Sequence, residues 1–357
     1  MDASLRDVTR ILGEWLDSAR PCVLATVVTS DGSAPRGLGA RLAIAGREEW
    51  VGALSGGCTE AAVIAEAERL LDVGDPDHAV FVSYQKETLA DVGPVCGSIL
   101  GVIVEVVDDV LVGTLERLVD TAGSGTPAEL GVTYSWQGDA PGDLAQLGLA
   151  AGLVREAVAL EPIADPSGHA VALVRDDVGL VLREAVPAAP HLVLGGAGDI
   201  ARELVSLADR LAWRTTVVDP RATVLGQLER MCTPSRTVSG WAQEHWNDLA
   251  VDARTACVAL FHEAHHDEPF LAAALASDAA YVGAVGSRRV QADRRASLAA
   301  AGVGEAQLAR LQGPAGLDLG GSSASEIALA IAAQVVATFH GRDGAPLSET
   351  SGPIRAD

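Results

Sequence analysis

The sequence predicts an α/β protein in two parts: an N-terminal α+β domain and a C-terminal Rossmann-like parallel-sheet domain. Three observations carry this reading. At 190–221 an apolar run, Leu192 to Leu194, meets a glycine turn at Gly195, Gly196 and Gly198. Leu204, Val205, Leu207, Ala208 and Leu211 then recur at helical spacing, and a β-branched run, Thr215 to Val218, ends at Asp219, completing a β-α-β unit. Downstream of it, strand and helix patterns keep alternating, as a parallel sheet requires. Upstream, Pro187-Ala188-Ala189-Pro190 marks a boundary. The expected domains are 1–187, with its core at 1–108 and a less informative stretch at 109–187, then 188–340, then a Gly-, Pro- and Ser-rich flexible tail at 341–357.

In chain order, residues 3–20 read as a helix with Val8, Ile11, Leu12, Trp15 and Leu16 on one stripe, stopped by Pro21. Cys22 to Ser30, Ala40 to Ala45 and Trp50 to Ala53 read as strands. A helix then buries Val63, Ile64, Ala67, Leu70 and Leu71, and Ala79 to Tyr84 and Ile99 to Val107 form a strand pair. Val110 to Asp120 is helical in pattern, Gly123 to Pro127 is a linker, and Gly131 to Trp136, Ala170 to Val174 and Gly179 to Arg183 are strands. After the β-α-β unit come strands at Ala256 to Phe261 and Ala280 to Val285, each followed by a helix (Glu268 to Ala276, Ser287 to Ala301). The last helix, Ala324 to Phe339, is announced by the capping-box spacing of Ser323 and Glu326.

Composition narrows the function classes. The 357 residues are 48% hydrophobic, enough for two cores. A net charge of -22, from 48 acids against 26 bases, argues against nucleic acid or an anionic membrane surface as a partner, because both demand a cationic face. No stretch reads as a membrane span and the charged opening, Met1 to Asp7, does not read as a signal peptide, so the expected location is the cytoplasm. Lys86 is the sole lysine, which excludes a P-loop and leaves a Schiff base one candidate. Cys22, Cys58, Cys96, Cys232 and Cys257 lack C-x-x-C spacing and read as free thiols, with Cys257 a buried hydrophobe inside its apolar strand.

Several motifs carry chemistry. Gly196-Ala197-Gly198-Asp199-Ile200-Ala201 fits the dinucleotide fingerprint, in which backbone amides at a helix N-terminus meet a pyrophosphate. Asp219 stands where such folds place the acid that accepts a ribose diol, so a bound dinucleotide is expected to be NAD rather than NADP, with Arg221 as the complication. Asp199 either repels a phosphate or caps the helix. Gly56 and Gly57 make a second nest of amides, with Cys58 in the following helical turn, where the dipole favours a thiolate. Cys58 is read as a reactive thiol, against the bland reading of a small residue in a tight turn, and Cys96, beside an apolar strand, divides the same way. Arg36, alone in a small-residue loop, suits a bidentate anion contact or is simply solvated. Gly286, Ser287 and Arg288 repeat the anion-binding logic at another helix start. His262, His265, His266 and Asp267 have metal-capable spacing but lack an apparent fourth ligand, so no metal is assigned.

The Gly-Ser-Ala-Pro-Arg-Gly-x-Gly-Ala loop at 32–40 joins Ser-Gly-Gly-Cys-x-Glu (55–60), Cys96-Gly97, Gly-Ala-Gly (196–198), Val-Val-Asp-Pro-Arg (217–221), Tyr-Val-Gly-Ala-Val-Gly-Ser-Arg-Arg (281–289) and Gly-Leu-Asp-Leu-Gly (316–320). Together these motifs resemble the XdhC/CoxI family, accessory factors of xanthine dehydrogenase and related molybdenum hydroxylases. The resemblance implies binding of the molybdenum cofactor (molybdopterin), help with its sulfuration and delivery to an apo molybdenum hydroxylase. The groove between the domains is the expected place of binding, Cys58 is read as a ligand to molybdenum or a sulfur carrier, and Cys96 is the second candidate thiol. A cysteine desulfurase as a further partner and a homo-oligomer, such as a dimer, follow from the same resemblance. Ser98, Asp199, Ala315, Ala324 and Gln334 depart from the family pattern. Two other readings stand beside it: an NAD(P)-dependent oxidoreductase, and a non-catalytic assembly scaffold.

Overall fold

Among the described residues, nine antiparallel strands dominate the first part of the chain and six parallel strands the second. The computed structural model describes residues 3–31, 36–56, 59–75, 77–84, 99–142, 144, 150–164, 166, 168–261 and 263–351. They divide into two units, Met1–Ala188 and Ala189–Asp357.

The N-terminal unit runs α1 (Ala3–Asp17), β1 (Val23–Asp31), β2 (Arg41–Gly46), β3 (Glu49–Gly52), α2 (Glu60–Val73), β4 (His78–Tyr84), β5 (Ile99–Val106), α3 (Asp109–Gly123), β6 (Ala128–Trp136), β7 (Ala150–Pro162), β8 (Ala170–Arg175) and β9 (Gly179–Val186). Its sheet order is β3-β2-β1-β5-β4-β7-β6-β9-β8. α1 and α3 cover one face through Leu5, Val8, Leu12, Leu111, Leu115 and Leu118, while α2 covers the other through Val63, Ile64, Ala67 and Leu70. Burial on both faces explains why β1 and β5 read as continuous apolar runs, each fully buried Leu, Ile or Val contributing about 1.5–3 kcal/mol.

This sheet curls on itself. Arg41 on β2 makes a buried bidentate ion pair with Glu184 on β9, although those strands are not neighbours in the sheet. Nearby in the same interior, Glu105 accepts from Tyr134 Oη (2.9 Å) and from Arg155 (2.8 Å), whose other end nitrogen meets Asp108. Burial works against the Glu184 carboxylate, but Arg41 and His169 outweigh it and hold its pKa down at about 2.

The C-terminal unit runs β10 (His191–Gly195), α4 (Asp199–Arg210), β11 (Arg214–Asp219), α5 (Ala222–Glu229), β12 (Arg236–Ser239), β13 (Thr255–Ala259), α6 (Ala264–Ala276), β14 (Tyr281–Ala284), α7 (Arg288–Ala300), α8 (Glu305–Ala309), β15 (Leu311–Gln312) and α9 (Ala324–Phe339). The order β12-β11-β10-β13-β14-β15, with every pairing parallel, is the doubly wound arrangement whose strand order reverses between β10 and β13. α4 and α9 pack together on one face through Leu204, Val205, Ile331 and Val335. Phe270, Leu271, Ala274 and Leu298 of α6 and α7 fill the other. The capping box is present: Ser323 Oγ accepts from Glu326 N, and the Glu326 carboxylate accepts from Ser323 N. Residues 341–351 contain one 3-10 turn, Leu347–Glu349.

The expected fold class and its main elements are present. The sequence reading did not include β7, α5, β12, α8 or β15. Among the described residues no helix is long and apolar enough to cross a membrane.

Candidate functional site

The glycine turn between β10 and α4 sits at the topological switch point, where open α/β sheets bind ligands. Its shape follows from crowding. Gly196 has φ +111°, and a Cβ there would stand 3.0 Å from the Leu260 carbonyl carbon at the end of β13. Gly196 N donates to Val218 O (2.9 Å) and Leu260 N to Gly195 O (2.7 Å), so the turn is pinned to both flanking strands. Gly198, by contrast, faces open space: nothing lies within 4 Å of its would-be Cβ, and it is the N-cap of α4. A cavity of about 200 Å³ opens here, lined by Ala197, Gly198, Asp199, Arg202, Val224, Gln227, Leu228 and Met231. Small-molecule sites usually measure roughly 300–1,000 Å³, so this one accommodates a phosphate or a fragment rather than an entire dinucleotide.

Asp219 is fully buried and turned inward. Its Oδ2 accepts from Ala197 N (2.9 Å) and an Arg221 end nitrogen (2.7 Å), and its Oδ1 accepts from Arg221 N and Nε (both 2.9 Å). Burial raises its pKa, but these donors outweigh that and hold it below the usual carboxylate range. The side chain ties the glycine turn to β11, and its hydrogen bonds in this structure are made internally rather than toward the cavity. The complication foreseen at Arg221 is realised as a pair with Asp219 itself. Asp199 does not cap α4. It is exposed in the first turn and pairs with Arg202 at 3.2 Å.

Gly286, Ser287 and Arg288 lie at the end of β14 rather than at the β10 turn. Ser287 Oγ caps α7 by accepting from Val290 N (3.4 Å), and Arg288 is exposed. Behind them is a buried polar network that sequence reasoning missed. Asp267 accepts from Arg294 (2.7 Å) and from Phe261 N (3.2 Å), while Gln291 donates to Ala284 O and Val285 O (both 3.1 Å). Asp267 is therefore engaged inside the protein. Of the histidine cluster, His265 and His266 approach Glu263, whereas His262 lies outside the described residues.

In the N-terminal unit the second glycine nest is filled by its own chain. Glu60, 6% exposed, accepts from Leu54 N (3.1 Å), Ser55 N (2.9 Å), Gly56 N (3.0 Å), Thr59 N (3.2 Å) and Ser55 Oγ (2.8 Å). Burial would raise its pKa, yet these donors pull it down to about 2. The expectation that Gly56 presents a free amide is corrected, because a buried carboxylate already receives it. Gly57 and Cys58 lie outside the described residues, as does Cys96. Arg36 is exposed. The described thiols are poor nucleophiles: burial pushes Cys22 up to about 12 and Cys257 higher still, and raises Cys232 as well.

Fold and turn together define an α/β protein whose second unit is a Rossmann domain with an open helix N-cap at its switch point. Comparison with known proteins makes this specific. Residues 15–85 match the model of the XdhC and CoxI family, and residues 192–335 match that of the XdhC Rossmann domain. The chain belongs to the XdhC/CoxI family. It is 23% identical over 353 residues to a protein of Bacillus subtilis (strain 168) named as a probable xanthine dehydrogenase component, spanning 92% of this chain and 96% of that one. A crystal structure of a xanthine dehydrogenase from Bacillus halodurans shares the fold, with a TM-score of 0.69 at 20% identity, over 96% of this chain and 98% of that one.

Proposed function

We propose that this chain is an accessory factor for a xanthine-dehydrogenase-like molybdenum hydroxylase. It takes the molybdenum cofactor as cargo, supports its sulfuration and passes it to the apo-hydroxylase, acting as a chaperone rather than a stand-alone enzyme. The observation that supports this most directly is that both halves match one family, with a relative named for xanthine dehydrogenase along almost the whole length. The cargo carries an anionic phosphate, and the open N-cap amide of Gly198 beside Arg202 suits such a group. Thiol chemistry in this reading belongs to Cys58 and Cys96, since burial suppresses ionisation of Cys22, Cys232 and Cys257. A cysteine desulfurase as sulfur source and a homo-oligomeric state belong to the same proposal. The inward pairing of Asp219 with Arg221 speaks against the oxidoreductase alternative, in which Asp219 would accept the ribose hydroxyls of NAD.

The test is activation of an apo-hydroxylase by wild-type and Cys58→Ala protein, with mass spectrometry of what co-purifies from cells grown with and without molybdate. The expected result is a molybdate-dependent pterin on the wild type and a folded Cys58→Ala protein that fails to activate. Full activation by Cys58→Ala removes the thiol role. A co-purifying nicotinamide nucleotide replaces the proposal with the oxidoreductase reading.

A further inference from the structure

Glu263, His265 and His266 sit just beyond the carboxyl end of β13, at the edge of the switch point. Glu263 is the extended N-cap of α6, with φ -126° and ψ 122°, and the histidines occupy the first helical turn. Adjacent helical side chains diverge by about 100°, so three donor atoms gather here only because Glu263 reaches back over the helix end. Its Oε2 lies 3.4 Å from His265 Nε2 and 3.8 Å from His266 Nδ1, and one donor atom from each of the three residues lies within 4.8 Å of the others. Ligand atoms bound at about 2.0–2.1 Å to one tetrahedral ion are separated by roughly 3.4 Å, so two of the three edges are already close to that spacing.

The surroundings fit a held ion. His266 has only 12% of its side chain exposed and packs against Trp241, with ring centroids 4.6 Å apart, and edge-on to Phe261 at 5.5 Å, which fixes its ring. The Glu263 and His265 side chains are 53% and 69% exposed, leaving the outer side open to solvent. Asp267 is not a fourth ligand, because Arg294 and Phe261 N hold it inside. The positive end of the α6 dipole disfavours a cation, but the Glu263 carboxylate sits at that end and offsets it. The charge of Arg221 acts on Glu263, yet that guanidinium is paired with Asp219.

We propose that Glu263, His265 and His266 bind one divalent transition-metal ion of the zinc class, with a coordination position left open for water or an incoming ligand. Two imidazoles and one carboxylate select zinc, cobalt or ferrous ions over magnesium or calcium, which require mostly oxygen ligands. The site does not depend on the accessory role proposed above, and either can fail alone.

Titration of the full-length chain with cobalt(II), followed by optical absorption, tests it. The wild type is expected to bind one ion with weak visible bands and no near-ultraviolet thiolate charge transfer. His265→Ala and Glu263→Gln change exposed side chains and leave the fold intact. Each is expected to weaken binding at least tenfold, since loss of even an outer-shell partner costs about 10–100-fold. His340→Ala, at an exposed histidine outside the cluster, should bind as the wild type does. The proposal is overturned if the wild type binds no cobalt at tens of micromolar, or if His265→Ala binds as tightly as the wild type.

Discussion

The turn before α2 and the turn before α4 are both glycine-rich, both open a helix, and both are met by a carboxylate from their own unit. They differ in how much that carboxylate consumes. Glu60 is buried and receives four backbone amides and a hydroxyl. Asp219 receives one amide of its turn, Ala197 N, and is neutralised by Arg221. The described amides of the first turn are thus already taken by Glu60, whereas the second retains an open N-cap at Gly198 beside a cavity. A glycine nest is a ligand site only where no internal carboxylate has taken it, and the identity of that competitor decides which of two similar motifs can bind.

Breaking the closed turn should have the largest effect. Glu60→Ala leaves several buried amides without an acceptor, so it is expected to cost about 3 kcal/mol of N-terminal-unit stability in urea unfolding. Acid should mimic it. The folded pKa of Glu60, about 2, lies below the ordinary 4.5, so its contribution is complete above about pH 4.5 and fades as the pH falls toward 2. Glu184 adds a contribution of the same sign over the same window. The Glu60→Gln protein should show a visibly shallower loss of stability across that range than the wild type.

In the open turn, two alanine substitutions should separate structure from binding. Gly196→Ala combines a φ of +111° with a Cβ 3.0 Å from backbone, so about 2 kcal/mol of stability should be lost, read from thermal or denaturant midpoints. Gly198→Ala, at φ -78° with open space around it, should cost under about 1 kcal/mol, yet its methyl stands where a phosphate would approach. Equal destabilisation by the two would erase the distinction drawn between a packing glycine and a ligand-facing one.

The smallest effect on folding is expected at Arg202, which lines the cavity and pairs with exposed Asp199 and partly exposed Glu203. Arg202→Ala should leave stability within about 0.5 kcal/mol of wild type. Calorimetry should nevertheless show pyrophosphate affinity falling about tenfold, or roughly 1.4 kcal/mol.

Legibility in the sequence followed the range of the interactions involved. β10, α4 and β11 were readable because apolar period, glycine turn and second strand lie within one short stretch, and the box of Ser323 and Glu326 was readable because both partners are local. β7 was missed because its burial is irregular along 13 residues, with Leu153 and Arg155 the only buried positions, which defeats a period-two reading. β12 and β15 are four and two residues long, too short for any pattern. The curl of the N-terminal sheet depends on Arg41 and Glu184, 143 positions apart, although charged residues inside apolar strands were the signal available. At the candidate site, the glycines of both turns were visible. Their occupants were not, even though Glu60 lies in the same motif as its nest and Arg221 two residues from Asp219, because spacing does not say which way a carboxylate turns.

The difference between the turns can be measured in one experiment: titration of the isotope-labelled chain with pyrophosphate, followed at the backbone amides by NMR. The amides of Gly198 and its neighbour Asp199 should shift in a saturable way, while those of Ser55 and Gly56, held by Glu60, stay in place. Saturable shifts at Ser55 and Gly56 with none at Gly198 would contradict the account.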